Sequence, residues 1–275
     1  MSKVSEEEKK RYSDKIKHYK KEIEDLKKRE KHLEQIIAND DVGGVYKKIT
    51  IANENLSMIA YYVLMNRISL SLLAMKNENF LNDARKLCYR VLIKLEEIVS
   101  NYVDVPFSDY EEKLEAIVDL DDAERYLLLK KLGFSINSVE SSFGDNSKWK
   151  WSFVELEGRF ATVAKNMLNL KTVYAGMDPR VEGYEARVSH VNLVKSQLQS
   201  AADRYRQKYE LSTSRIDDFK QAIAYLSALK RIHVLLNERN KAEEVKRKLE
   251  VWSNKMESDE KRQEQAAKKK RMEKK

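Results

Sequence analysis

The sequence predicts an all-α protein with a central helical bundle domain and an elongated coiled-coil stalk formed by the N- and C-terminal helices. Three observations predict this fold class. Only 7 of the 275 residues are glycine and 2 are proline, so helix breakers are scarce. Charged residues make up 36% of the chain, well above the ~25% of an average domain, as in long solvated helices. Apolar residues recur every three or four positions, which is a helical period.

The N-terminal segment, residues 1–42, is predicted to be a coiled-coil helix. Its apolar positions follow alternating steps of four and three residues, and Glu30 occupies one place in the series. The apolar members are Tyr12, Ile16, Tyr19, Ile23, Leu26, Leu33 and Ile37. A mean spacing of 3.5 residues is the seam of a coiled coil. The pair Gly43-Gly44 is expected to end this helix and to mark a domain boundary.

Residues 43–176 are predicted to form the central helical domain. This stretch contains more than half of the Leu, Met, Phe and Tyr residues taken together, so we expect the main core here. Pro106 should stop the second helix, Asp121 or Asp122 should cap the fourth, and Gly133 should end it. The expected helices lie near 46–76, 78–102, 108–118, 121–132 and 149–174.

The most apolar stretch, residues 55–76, is interpreted as a buried core helix. Its longest uncharged run is the twelve residues Asn55–Asn66, after which Arg67 interrupts it. A membrane span needs about 20 apolar residues. The first 15 residues are charged throughout and lack the apolar region of a signal peptide. We therefore expect a cytoplasmic protein with no membrane span.

Two of the three tryptophans, Trp149 and Trp151, lie beside lysines in the stretch GDNSKWKWSF. On a helix their side chains point about 200° apart, so they cannot form one flat stacking platform. Trp149 begins an apolar stripe that continues through Phe153 and Leu156 to Phe160. Its steps of four, three and four residues are typical of a core-facing helix. We expect Trp149 in the core and Trp151 at a partner contact, with base stacking on Trp151 as the alternative.

Residues 177–260 are predicted to form one long C-terminal helix or several helices. Asp178 followed by Pro179 is a favourable helix start. The sequence leaves open whether the helix continues through Ser212–Ser214. The N-terminal helix would run antiparallel to the first part of this segment and form the stalk with it. The rival arrangement is a parallel homodimer through residues 12–37.

Residues beyond 214 lie outside the reach of an N-terminal helix of about 50 Å, at 1.5 Å per residue. They therefore fold back, pair with a second copy, or contact another protein. The apolar side chains that we select here as partner contacts are Ile216, Phe219, Ile223, Leu226 and Trp252.

The C-terminal tail, residues 261–275, carries eight Lys or Arg and two Glu. It has a single large apolar residue, Met272, so we expect it to be frayed or disordered. Its charge predicts an electrostatic accessory role. The cations assigned to this role are Lys268, Lys269, Lys270, Arg271, Lys274 and Lys275.

The sequence shows no motif that assembles catalytic chemistry. It has no glycine-rich phosphate loop and no Glu-x-x-His pair, because the residues three positions before all four histidines are Lys or Arg. Cys88 is the single cysteine and lies on an apolar helical face, as a small core residue does. We therefore predict no enzyme, no cofactor and no metal site.

These observations favour a structural or adaptor protein that works through helix–helix interactions. Its partner would be another protein or a second copy of this chain. The alternative is a protein that binds nucleic acid or another anionic surface, since the sequence pI is about 9.2 and the tail is basic. Outside the tail, cations and anions alternate, as on a solvated coiled coil.

Overall fold

The computed structural model describes residues 5–40, 42–104 and 106–272. Within these ranges the chain is helical and contains no β-strand, which confirms the all-α fold class. A 3-10 turn, Phe107–Asp109, precedes α4, and a π-helical turn, Tyr209–Thr213, follows α8. The α-helices are α1 Glu6–Asn39, α2 Gly44–Leu73, α3 Glu78–Ile98, α4 Glu111–Glu115, α5 Asp122–Phe143, α6 Lys150–Asn166, α7 Leu170–Ala175, α8 Tyr184–Lys208, α9 Ile216–Leu235 and α10 Arg239–Met272.

The chain divides into two compact units. Unit 1 comprises Met1–Asn101 and Ser108–Asn169 and contains α1 to α6. Unit 2 comprises Tyr102–Phe107 and Leu170–Lys275 and contains α7 to α10. The N-terminal helix thus belongs to the same unit as the helices that follow it, and the turn at Gly43 joins two packed helices.

In unit 1, α1 and α2 form an antiparallel hairpin. The buried positions of α1 are Ile16, Ile23, Leu26 and Glu30. All four belong to the predicted 3.5-residue series, and α2 covers them. Gly43 allows the reversal because its φ of 66° lies in the left-handed region that favours glycine. The predicted stalk between the N- and C-terminal helices is not confirmed, since the seam of α1 is occupied by α2.

Helix α2 is the center of unit 1 and packs against α1, α3 and α5. Among the described residues it is the one helix that is long and apolar enough to cross a membrane by length and composition. Its most apolar 18-residue window has a mean hydropathy of 1.4, and 44% of that window is buried by packing. A core helix can have the same length and composition, and the packing of α1, α3 and α5 against α2 accounts for this burial.

Helix α5 begins where the sequence predicts and ends later. Asp121 caps it, with Glu124 completing a capping box. The prediction that Gly133 ends the helix is wrong, because α5 continues to Phe143. A Cβ added at Gly133 would lie 3.1 Å from the Phe160 ring, so glycine serves here to let α5 and α6 pack closely.

In unit 2, α9 packs against both α8 and α10. The prediction that Asp178 and Pro179 start a helix is wrong, since α8 begins at Tyr184. Asp178 Oδ1 instead accepts a hydrogen bond of 2.9 Å from the backbone N–H of Arg180, which forms a tight turn. The sequence left open whether the helix continues through Ser212–Ser214, and the structure shows a break there. The π-helical turn ends at Thr213, Ser214 follows it with a φ of 48°, and the chain reverses.

Helix α10 is longer than the helix that it packs against. It has 34 residues, whereas α9 has 20. Gln263 Nε2 donates a hydrogen bond of 2.9 Å to the carbonyl of Ser214, just before α9 begins. The rest of α10 therefore extends past the start of α9. The tail that we expected to fray is helical to Met272, because extending an existing helix needs no new nucleation and Ala, Lys, Gln and Arg are good helix formers.

Candidate partner-binding surfaces

Three of the partner-contact candidates belong to the core of unit 2. Phe219, Leu226 and Trp252 are at most 3% exposed. The ring centroids of Phe219 and Trp252 lie 6.1 Å apart, and those of Tyr209 and Phe219 lie 4.8 Å apart. Of the three arrangements considered for residues beyond 214, the structure shows the fold-back. These side chains therefore hold α9 and α10 together and do not face a partner in this conformation.

The other three candidates, Trp151, Ile216 and Ile223, are half-buried. Each has part of its side chain at the surface, so a partner contact stays a prediction for them. The ammonium of Lys150 lies 5.2 Å from the centroid of the Trp151 ring. This cation–π contact already occupies a ring that we considered for base stacking.

Trp149 is half-buried at the N-terminus of α6. The later members of its stripe, including Phe153 and Phe160, are buried as predicted. Trp149 itself packs against a cation, because the guanidinium carbon of Arg85 lies 3.8 Å from its ring centroid. Its Nε1 is buried and has no hydrogen-bond partner among the described residues. A polar groove of about 510 Å³, lined in part by Lys76 and Glu78, opens beside it.

The basic tail forms the end of α10. Lys268 is exposed, as are all of residues 261–266. Lys269, Lys270 and Arg271 lie within α10, and only their backbone is described. Lys274 and Lys275 lie outside the described residues. The structure thus presents the described part of the tail as a helix that carries exposed cations.

An exposed stripe on α5 that combines two apolar and two basic residues was missed from the sequence. Leu127 is 50% exposed and Phe134 is 69% exposed. Seven residues separate them, so they share one helix face, with exposed Lys130 and Lys131 between them. We call these four residues the α5 stripe. A sequence signal existed, because Leu127 is the first of three consecutive leucines and one helix face cannot bury all three.

Unit 2 contains an apolar pocket of about 400 Å³. It lies where α7 and the turn between α9 and α10 approach the first half of α8. We call it the α8 pocket. Its apolar lining residues are Tyr174, Met177, Tyr184, Val188, Val191, Leu235 and Leu236.

An ion cluster forms the polar end of the α8 pocket. Both carboxylate oxygens of Glu238 accept hydrogen bonds from Lys195 Nζ, at 2.9 and 3.1 Å. His233 Nδ1 lies 2.6 Å from Glu238 Oε2, and Lys241 Nζ donates to Oε1 at 3.3 Å. Burial raises the pKa of Glu238, but the hydrogen bonds from His233, Lys195 and Lys241 outweigh it and lower that pKa to about 2. Glu238 is therefore a carboxylate at neutral pH.

Cys88 is fully buried on α3, as predicted. Burial raises the pKa of its thiol to about 12, so the reactive thiolate is not formed at neutral pH. Among the described residues, no group of three or more His, Cys, Asp or Glu side chains could hold a metal ion.

The sequence matches the TP0443 family over residues 8–260. This range includes all of α2 to α9 and most of α1 and α10, while residues 261–275 lie outside it. No curated protein and no solved structure matches the chain.

Proposed function

The chain belongs to the TP0443 family, and we propose that it is a non-enzymatic adaptor that binds a protein partner through an exposed helical face. The observation that carries this proposal is the α5 stripe. Leu127 and Phe134 expose large apolar side chains at heptad spacing. Helix-in-groove recognition places anchors at i, i+3, i+4 and i+7, and the α5 stripe has apolar residues at the first and last of these positions and lysines at the two between them.

The α5 stripe is held on a rigid support. The opposite face of α5 is buried, and the helix packs against α2, α3 and α6. Because the stripe is already ordered, binding a partner would carry little entropy cost for ordering this helix. Lys130 and Lys131 lie between the two apolar residues, so we infer a helical partner segment with acidic side chains between two apolar anchors. We place the interaction in the cytoplasm. A coiled-coil stalk between the terminal helices stays a prediction.

Site-specific photo-cross-linking in cells tests this function. A photo-reactive amino acid at position 134 should yield one dominant protein adduct. The control is position 93 on α3, since Ile93 is also exposed but belongs to a different helix. Leu127→Glu should suppress the adduct at position 134 and leave the melting temperature unchanged. An adduct of the size of two chains would identify a second copy as the partner.

Equal adducts at positions 134 and 93, or an adduct that Leu127→Glu leaves unchanged, would contradict the proposal. The melting temperature of each variant, measured by circular dichroism, distinguishes loss of binding from loss of fold.

The second candidate function is binding to nucleic acid or another anionic surface through the end of α10. The observation that favours it is the helical tail, which has six Lys or Arg and one Glu between residues 261 and 272. Cations on an accessible helix release counterions from a polyanion, and this makes affinity fall steeply with salt.

A gel shift with salt titration tests the second candidate. The full chain should bind duplex DNA with an affinity that falls linearly with log salt concentration, and deleting residues 261–275 should remove most of that binding. Unchanged affinity after the deletion would exclude the tail as the binding element.

A further inference from the structure

The α8 pocket has an apolar wall and an open apolar mouth. Tyr184, Val188 and Val191 follow one another by steps of four and three residues, so one face of α8 forms the wall. At the mouth, Tyr174 is 84% exposed and Leu235 is 51% exposed. The volume of about 400 Å³ lies within the ~300–1,000 Å³ of small-molecule sites. A concave apolar surface of this size fits a small ligand better than a flat helical partner.

The pocket lining contains one cation, Lys195, and one anion, Glu238, and the surplus of positive charge at its polar end comes from Lys241, which lies outside the lining. Lys195 follows Val191 by four residues, so it extends the same face of α8 beyond the apolar wall. Lys195 and Lys241 share the single carboxylate of Glu238, and His233 contacts that carboxylate as well. The N-terminus of α10, which begins at Arg239, adds the positive end of a long helix dipole. An anionic head group is therefore favoured at this end.

We propose that the α8 pocket binds a small amphipathic carboxylate. Its apolar body lies against Tyr184, Val188 and Val191, and its carboxylate pairs with Lys195. The proposal rests on the shape and charge of this pocket and does not depend on the adaptor function of the α5 stripe. A free fatty acid and an aromatic carboxylic acid share this chemistry.

An NMR titration of the full chain with octanoate tests the proposal, with 1-octanol as the neutral compound of the same chain length. Octanoate should bind saturably at one site, and octanol should bind at least about tenfold more weakly because it lacks the charge. Lys195→Gln should weaken octanoate to the level of octanol. The matched control is Lys220→Gln, which removes an exposed lysine paired with Glu260 at 2.9 Å and should change neither affinity.

A second variant keeps the test decisive if Lys195→Gln disturbs the ion cluster. Val188→Trp fills the apolar wall and leaves Lys195 and Glu238 intact, so it should block octanoate while the melting temperature stays near that of the wild type. The proposal is overturned if octanoate shows no saturable binding, if octanol binds as tightly as octanoate, or if Val188→Trp binds octanoate like the wild type. The adduct at position 134 reports on the adaptor function separately.

Discussion

Helices α1 and α10 have the same length, 34 residues, yet their neighbours cover them to different extents. The neighbour of α1 is α2, with 30 residues, and the neighbour of α10 is α9, with 20. Gln263 of α10 contacts Ser214 just before α9 begins, so only residues 264–272 of α10 extend past α9. At 1.5 Å per residue, this uncovered end is roughly 14 Å long. The comparison shows that a helix stays accessible where its neighbour ends. The length of the neighbouring helix therefore matters more for exposure than the composition of the helix itself.

The two helices also differ in what they bury. Helix α1 places Glu30, 4% exposed, opposite α2 and α3, where Asn55 Nδ2 donates to it at 3.2 Å and Arg90 pairs with it at 3.2 Å. Helix α10 buries Trp252 against Phe219. A polar group in a seam specifies register, whereas an aromatic group supplies apolar contact area. Substitutions at these two positions should therefore have different costs.

The largest effect is expected at Trp252. Trp252→Ala should lower the free energy of unfolding by about 3–5 kcal/mol, because it removes a buried aromatic side chain and leaves a cavity. The matched control is the neighbouring Val251→Ala, an exposed position that should cost less than about 0.5 kcal/mol. Urea unfolding measures both. Small costs for both variants would return Trp252 to the partner-contact candidates.

A smaller effect is expected at Glu30. Glu30→Ala should cost about 1–3 kcal/mol, since it leaves Asn55 and Arg90 without their acceptor. Glu30→Met, which fills the space with an apolar chain, should cost less than Glu30→Ala. Glu34→Ala is the control, because Glu34 is exposed and its pair with the half-buried Lys94 should contribute at most about 1 kcal/mol. Equal costs at positions 30 and 34 would show that the buried pair has no special role in α1.

The pH dependence of stability should reveal how α10 is anchored at its start. The pKa of Glu238 is lowered from 4.5 to about 2 in the folded protein. A lowered pKa stabilises the fold above the unfolded value, and that stabilisation is lost as the pH falls from 4.5 toward 2. Over this window, the urea midpoint of the wild type should fall more steeply than that of Glu238→Gln. Parallel curves would contradict the assigned hydrogen bonds.

The smallest effect is expected at the uncovered end of α10. Deleting residues 261–275 should change the melting temperature by less than about 2 °C, because the deleted side chains that the structure describes are exposed. Helical signal in circular dichroism should fall, since residues up to Met272 are helical. A drop of several degrees would show that this end of α10 is covered after all.

Much of the fold follows from local sequence rules. The seam of α1 and the cap at Asp121 depend on residues within one or two helical turns, and the structure contains both. The break at Ser212–Ser214 is present as well, but the sequence left it open. Gly133 does not follow these rules, because its role depends on the Phe160 ring of another helix. The local rule predicts that Gly133 ends the helix, whereas in the structure Gly133 lets α5 pack closely against Phe160 of α6.

The candidate sites were harder to predict than the fold. Phe219 and Trp252 were selected because α1 was expected to cover α8, and only long-range packing shows that α9 and α10 cover each other. The ion cluster joins Lys195 on α8 to Glu238 just before α10, two residues far apart in the chain. The α5 stripe could have been predicted, since Leu127 is the first of three consecutive leucines and one helix face cannot bury all three.

The segment Tyr102–Phe107 belongs to unit 2, although both flanking stretches of chain belong to unit 1. Within unit 2, Asp104 pairs with Arg231 on α9. During translation the segment leaves the ribosome long before α9 is synthesised, at rates of about 5–20 residues per second. For several seconds, therefore, these residues are synthesised but their neighbours in unit 2 are not. The α1–α2 hairpin does not have this delay, because both of its helices precede the segment in the chain. The order of synthesis thus favours completion of unit 1 first and leaves this short segment as the last part of the early chain to find its place.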